Sequence, residues 1–314
     1  MRSLVVWVVM VIRSSVPARP ERPTADPRAP RRGWIGGGDR GASVFRVPML
    51  SVAGTELHVE RRGEGEPLLL IQGLGGHSLH WGEPFLRELE RDFELVVYDH
   101  RGAGRSAAFS GDLTTAGLAA DALALLDALG LERVHVFGVS MGGMVAQELA
   151  LAASARVASL TLGCTSCGGT QSRPTDQEVI RTLTAAVFSG DRERVLRTGF
   201  ELVVSSAYAA DPAHYAAFTE AARRYPAEIP LLMSQQAAVV AHDTYARLRG
   251  LRVPTLVVHG TADRMLAAVN GNLVASLIPD ARLELLDGVG HLFFWEQPQR
   301  SAQLVREHAA AQRP

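Results

Sequence analysis

The residues Gly138-Val139-Ser140-Met141-Gly142 form a Gly-x-Ser-x-Gly sequence that could make a serine nucleophilic. An apolar, strand-like run at residues 134–137 precedes it, and a helical pattern at residues 144–150 follows it. A serine on a tight strand-to-helix turn exposes its hydroxyl near the positive end of the helix dipole, and glycines two residues away leave room for its Cβ. This context predicts that Ser140 is a nucleophile in acyl transfer rather than part of a structural turn.

A serine hydroxyl is a weak nucleophile, so it needs a general base and a carboxylate that orients the base. On this kind of turn the chain order is serine, acid, histidine. Asp263 follows a strand-like run at residues 255–259, and only His291 and His308 lie beyond it. His308 falls in a helical pattern and is interpreted as a helix-surface residue. We predict His291 as the base and Asp263 as the orienting acid, with Asp287 as the competing acid.

The same chemistry requires donors for the oxyanion that forms on the attacked carbonyl. The backbone N–H of Met141, the residue after the serine, is the first candidate. The second is the N–H of Leu74, in the glycine-rich loop at residues 72–76 that follows the apolar run at 68–71. A phosphate-binding loop is the alternative for these glycines, but this loop has no G-x-G-x-x-G pattern and the chain has no lysine to serve a P-loop.

The elements that must position these residues alternate between strands and helices. Short apolar runs ending in Gly or Asp are typical of strands buried on both faces, and they occur at residues 68–71, 95–98, 134–137 and 255–258. A helical stripe at residues 118–129 ends at Gly130. The pattern predicts an α/β protein with a mostly parallel central sheet covered by helices on both faces.

This alternation stops between residues 165 and 250. Four helical segments follow one another there without a convincing strand, at residues 176–188, 191–204, 212–224 and 229–247. We interpret residues 165–250 as a helical insertion. The core of the fold is then predicted to comprise residues 49–164 and 251–314.

The first 48 residues differ from the rest of the chain. They carry nine arginines against three acids, a net charge of +6, which leaves −7 for the remainder. Without period-2 or period-3.6 patterning, this Pro-, Arg- and Gly-rich segment predicts a disordered extension ahead of a fold that starts at Met49. The apolar run at residues 4–12 resembles a secretory signal, which stays open as the alternative, and it is too short to span a bilayer.

Composition excludes several classes of protein. With 47% hydrophobic and 21% charged residues the chain is an ordinary globular one, and its acidic main body argues against nucleic acid as a partner. Stable membrane association is not expected either. The cysteines, Cys164 and Cys167, have no zinc-site spacing and are interpreted as small packing or pocket-edge residues. So few cysteines also indicate a reducing compartment, the cytoplasm. We expect no metal and no cofactor.

Taken together, the motifs resemble the α/β-hydrolase fold family from about Met49 to the C-terminus. The stretch Asp99–Ser106 is similar to the family's D-x-R-G-x-G-x-S turn. Further matching positions are Pro254, Gly290, Glu296 and Pro298. These positions and the helical insertion resemble the group of 3-oxoadipate enol-lactonases, small carboxylesterases and cofactor-free haloperoxidase-like perhydrolases. One departure is Gln72, because the oxyanion loop of the family usually opens with His-Gly.

The resemblance implies a function and a role for the insertion. The insertion would form a cap over Ser140, with a substrate pocket whose candidate residues are Gly73, Trp81, Leu232 and Met233. Core packing is the alternative for Trp81, Leu232 and Met233. We expect a serine hydrolase that cleaves a small carboxylic ester or lactone through an acyl-enzyme. A carbon–carbon bond hydrolase, a perhydrolase and a non-catalytic binding protein on the same fold stay open.

Overall fold

An eight-stranded sheet organises the part of the chain that the structure describes. The computed structural model describes residues 45–312, with side chains from residue 49 onward. The strands are β1 Phe45–Val52, β2 Thr55–Arg62, β3 Glu66–Ile71, β4 Phe93–Tyr98, β5 Val134–Val139, β6 Val157–Gly163, β7 Thr255–Gly260 and β8 Arg282–Leu286. They lie in the order β1-β2-β4-β3-β5-β6-β7-β8. β2 pairs antiparallel with β1 and with β4, and every other neighbouring pair is parallel.

Helices cover both faces of this sheet. Outside the insertion they are α1 Glu83–Leu89, α2 Thr115–Ala128, α3 Met141–Ala152, α9 Val269–Leu277, α10 Phe293–Glu296 and α11 Pro298–Ala310. Alternate strand residues point to opposite faces, so Leu69 and Ile71 join a core with α2, α3 and α9, whereas Leu68 and Leu70 join a core with α1, α10 and α11. The apolar runs therefore reflect strands with two buried faces, and the predicted α/β class is confirmed.

The insertion between β6 and β7 is helical. It comprises α4 Gln177–Phe188, α5 Arg192–Val203, α6 Ser206–Ala209, α7 Pro212–Arg224 and α8 Ile229–Ala241. The predicted helix over residues 229–247 was too long, because His242 is extended (φ −63°, ψ 132°) and its carbonyl accepts the N–H of Gly169. The incoming and outgoing chains pair there, through a bridge between Gly168 and Asp243. The short helix α6 was not predicted.

The start of the fold also differs from the prediction. β1 begins at Phe45 rather than after Met49, because its first residues pair with β2, Phe45 with Arg61 and Val47 with Val59. The predictions made for residues 1–44 lie outside the described residues. Within residues 45–312, no helix is both long and apolar enough to cross a membrane.

Parallel pairing brings four chain segments to one edge of the sheet. β3 lies directly beside β5, with Ile71 opposite Gly138, and β7 lies beside β8, with Gly260 opposite Leu286. The loops that leave the carboxyl ends of these four strands therefore meet at the same edge. The glycine-rich loop follows β3, and Ser140 follows β5. Asp263 lies in the loop after β7, and His291 lies in the loop after β8.

Candidate active site

Ser140 occupies a strained turn between β5 and α3. Its φ of 57° and ψ of −122° lie in a region that side chains other than glycine rarely adopt. The flanking glycines are required by close backbone approach. A Cβ on Gly138 would lie 2.2 Å from the carbonyl oxygen of Gly142, and a Cβ on Gly142 would lie 2.0 Å from that of Ile71. Ser140 is partly exposed, as its predicted role as a nucleophile requires.

His291 and Asp263 form a buried pair at the same edge. Nδ1 of His291 donates to Oδ2 of Asp263 at 2.7 Å, which leaves Nε2 as the basic nitrogen of the ring. The backbone N–H groups of Met265 and Leu266 donate to Oδ1 of the carboxylate at 2.8 and 2.9 Å. Nε2 of the fully buried His259 lies 3.2 Å from Oδ2. The carboxylate is therefore held from three sides.

Electrostatics keep this carboxylate ionised. Burial alone would raise the pKa of Asp263, but the facing charge of His291 and hydrogen bonds from His259 and His291 hold it below its ordinary value. No hydrogen bond joins the Ser140 hydroxyl to His291 within residues 45–312. In enzymes without bound substrate this contact is often long and closes on binding.

The competing residues lie elsewhere. Asp287 is exposed and accepts a hydrogen bond from the hydroxyl of Thr261 at 3.1 Å. His308, predicted to lie on a helix surface, is instead buried, and its Nε2 is 3.2 Å from the carbonyl oxygen of Pro254, at the amino end of β7. The amino end of β7 lies at the edge of the sheet opposite Ser140. Of the candidate acids and histidines, only Asp263 and His291 therefore meet at the candidate site.

The glycine-rich loop lies against the serine. A Cβ on Gly73 would be 3.2 Å from the Cβ of Ser140, so a larger residue would fit here only if its neighbours shifted by a few tenths of an ångström. Met141 is the first residue of α3, and its N–H has no acceptor within the described residues. The Leu74 N–H likewise has none within residues 45–312. Both predicted oxyanion donors are therefore unoccupied.

The N–H groups of the three glycines in this loop all have acceptors. The N–H of Gly73 donates to Oε1 of Gln72 at 2.8 Å, and that of Gly75 donates to Oε1 of Gln235 at 2.8 Å. The N–H of Gly76 donates to the Gly73 carbonyl at 3.0 Å. Gln72, which stands where the family usually has histidine, thus supplies a polar contact to the loop. Sequence analysis did not identify Gln235, because it lies 160 residues away in α8.

The predicted substrate-contacting residues have different surroundings. Trp81 is a core residue, which corrects its assignment to the pocket: it is completely buried, and its ring packs against those of Phe85, Phe137 and Phe294. Leu232 does reach the loop, since its Cδ2 is 2.8 Å from where a Gly75 Cβ would be. Met233, beside Leu232 on α8, is partly buried, and its contact with substrate stays a prediction.

Two further side chains, those of Glu296 and Cys164, lie close to His291. Glu296 accepts the N–H of Gly290 at 2.8 Å and that of Ser205, in the insertion, at 2.9 Å. Its spacing after His291 was the only signal in the sequence. The thiol of Cys164 lies within 4.8 Å of ligand atoms of Asp263 and His291. Burial raises the pKa of this thiol well above its ordinary value, so it stays protonated.

Comparisons with known proteins agree with this geometry. The family model for the alpha/beta hydrolase fold matches residues 66–298. The chain is 32% identical over 266 residues to a protein of Azorhizobium caulinodans named putative carbamate hydrolase RutD, covering 79% of this chain and 92% of that protein.

Solved structures of hydrolases are also similar to this chain. A hydrolase from Pseudomonas aeruginosa is 30% identical with a TM-score of 0.71, covering 86% of this chain and 99% of that one. The enol-lactonase from Burkholderia xenovorans is 26% identical with a TM-score of 0.74, covering 84% and 100%. The resemblance to the enol-lactonase and esterase group is thereby confirmed. The chain is a hydrolase, and it belongs to the α/β-hydrolase fold family.

Proposed function

We propose that this protein is a serine hydrolase that cleaves a small carboxylic ester or lactone. The observation that carries the proposal is the 2.7 Å hydrogen bond from His291 to Asp263, at the sheet edge where Ser140 is held in a strained turn. The unoccupied N–H groups of Leu74 and Met141 support it. The name of the enol-lactonase relative supports the substrate class.

The reaction follows from these positions. Oγ of Ser140 attacks the carbonyl carbon while its proton passes to Nε2 of His291, and the Leu74 and Met141 N–H groups stabilise the resulting oxyanion. The carbon–oxygen bond breaks as His291 returns the proton to the leaving oxygen. Water then attacks the acyl-enzyme, which releases the carboxylic acid and restores the Ser140 hydroxyl. Asp263 keeps the imidazole in the required tautomer and stabilises its charged form.

In this proposal residues 165–250 act as a cap over Ser140. The contact of Leu232 with the glycine-rich loop supports that role, since it brings α8 to the edge of the site. Cap side chains would then form much of the wall around the acyl and leaving groups.

A second candidate is hydrolysis of a carbamate. It is favoured by the relative at 32% identity, whose printed name is putative carbamate hydrolase. The same nucleophile would attack the carbamoyl carbonyl, and the intermediate would be a carbamoyl-enzyme instead of an acyl-enzyme.

One experiment separates these functions from each other and from ligand binding alone. The wild type, Ser140→Ala and the surface control Ser276→Ala are compared on short acyl esters, lactones and carbamates, and by labelling with a fluorophosphonate probe. We expect Ser140→Ala to lose activity at least about 10³-fold and to resist labelling, with an unchanged melting temperature. Turnover of carbamates alone would favour the second candidate. Labelling of Ser140 without turnover of any substrate would indicate a binding protein.

A further inference from the structure

A helix of the insertion holds the glycine-rich loop by one side-chain hydrogen bond. Oε1 of Gln235, in the middle of α8, accepts the N–H of Gly75 at 2.8 Å. Gln235 is completely buried and Gly75 is partly buried, so the accepting oxygen is shielded from bulk water. It joins residues 160 positions apart and links the loop beside Ser140 directly to the insertion.

The bonded residue is a central residue of a tight turn. The N–H of Gly76 donates to the carbonyl of Gly73, and the φ of Gly75 is 69°. Such turns need glycine as their third residue, and Leu74 is the second. Because Leu74 and Gly75 are consecutive in a four-residue turn, a hydrogen bond that fixes the second of them also restricts the direction of the Leu74 N–H.

The Gln235 contact is separable from the docking of α8 as a whole. Leu232, one turn earlier, packs on Gly75, and Leu231 is buried in the core beneath. The hydroxyl of Ser234 accepts the N–H of Leu113 at 3.0 Å, which ties the same helix to the core at another point. Loss of the Gln235 oxygen alone would therefore leave the helix in place.

Stability gives no reason for a glutamine at this position. Nε2 of Gln235 is buried without a hydrogen-bond partner within residues 45–312. An unsatisfied buried amide donor destabilises the folded state, and an apolar side chain of similar length would not carry that penalty. What the glutamine provides in exchange is the acceptor for Gly75.

Resting on the proposed function, we infer that Gln235 is a positioning residue for the oxyanion hole. Its side-chain oxygen sets the turn so that the Leu74 N–H faces the developing oxyanion beside Ser140. The docked insertion thus completes the stabilising site for the transition state, in addition to enclosing the substrate.

The test compares Gln235→Met, which removes the acceptor at similar length, with Gln235→Glu, which keeps an acceptor oxygen. Gln147→Met is the matched control, because Gln147 is also completely buried and bonds the Ser166 carbonyl and the Thr244 hydroxyl beneath the insertion. We expect Gln235→Met to lower kcat about 10–100-fold with KM within about threefold, since deleting a whole oxyanion donor costs about 10²–10³-fold. Gln235→Glu restores most of kcat, and Gln147→Met changes only the melting temperature.

Two further measurements make the outcome specific. The Ki of a trifluoromethyl ketone, which forms a tetrahedral adduct on Ser140, rises in parallel with the loss of kcat/KM, whereas the Ki of a carboxylate product does not. Backbone hydrogen exchange of residues 72–81 without substrate is faster in Gln235→Met than in the wild type or Gln147→Met. Exchange needs no turnover, so it tests whether Gln235 orders the loop even if the wild type hydrolyses no ester. Unchanged exchange, or an equal loss of kcat in Gln147→Met, would overturn the inference.

Discussion

Glu296 holds the backbone of Gly290, the residue directly before His291, by accepting its N–H at 2.8 Å. The same carboxylate accepts the N–H of Ser205 at 2.9 Å and the Ser205 hydroxyl proton. On the other side of His291, the N–H of Leu292 donates to the carbonyl of Val203 at 2.8 Å. The loop that carries the proposed base is therefore attached to the insertion on both flanks.

Replacing Glu296 by glutamine tests this attachment. One oxygen becomes an N–H₂ group, which in its better orientation faces the Ser205 hydroxyl and turns it from a donor into an acceptor, while the two backbone N–H groups lose a charged acceptor. We expect kcat to fall about tenfold and the free energy of unfolding to fall by about 1–3 kcal/mol. The measurements are steady-state kinetics and urea denaturation. Glu284→Gln is the control, since the Glu284–Arg300 pair is partly exposed and such pairs contribute at most about 1 kcal/mol. Equal effects in both variants would contradict the coupling.

Asp263→Asn is expected to lower kcat by about 10³–10⁴-fold. An amide in place of the carboxylate presents a donor to Nδ1 of His291, which favours the wrong tautomer and leaves the protonated imidazole unpaired. Asp287→Asn is the matched control, because Asp287 is exposed and bonds only the Thr261 hydroxyl within the described residues. The measurement is kcat for hydrolysis of the same ester by the wild type and both variants. A larger loss in Asp287→Asn would show that the acid has been misassigned.

Ser140→Gly should be more stable than Ser140→Ala. The φ of 57° and ψ of −122° cost a residue with a Cβ about 1–3 kcal/mol, and glycine avoids this strain but has the more flexible unfolded chain. We expect a net gain of about 1 kcal/mol in the free energy of unfolding, measured by urea denaturation. Ala217→Gly, at an exposed position of α7, should instead lose about 1 kcal/mol. A less stable Ser140→Gly would mean that the turn is unstrained.

His242 should make the fold sensitive to mild acid. Burial lowers the pKa of His242 to about 4, against the opposing effect of Glu148, and the ring contacts the Thr115 hydroxyl at 2.9 Å. Below its ordinary value of 6.5 the unfolded chain takes up a proton that the folded protein does not. Stability is therefore fully present above about pH 6.5 and falls toward pH 4, by up to about 3 kcal/mol.

The check is urea denaturation at a series of pH values for the wild type and His242→Gln. The wild-type curve should fall more steeply between pH 6.5 and 4 than the variant curve. His214→Gln, a partly exposed histidine on α7, serves as the control and should follow the wild type. Parallel curves for the wild type and His242→Gln would contradict the assignment.

Local features of the site could be predicted from sequence because their causes are local. The turn at Ser140 needs glycines at 138 and 142, and the neighbouring apolar runs are long enough to identify a strand and a helix. The position of His291 followed from chain order once the turn was identified. Sequence favoured Asp263 over Asp287 as the acid although both follow strands, and the tertiary structure places Asp263 against the imidazole.

Contacts between distant segments were decided by the tertiary structure alone. Trp81 follows the glycine-rich loop in sequence, which made it a candidate pocket residue. In the structure, packing against Phe85 of α1 and Phe294 of α10 buries it completely. The bonds of Gln235 to Gly75 and of Glu296 to Ser205 span 160 and 91 residues, and each depends on how the insertion docks on the core. Periodicity reports which face of an element is buried, whereas a buried polar side chain finds its partner only after separate elements have packed.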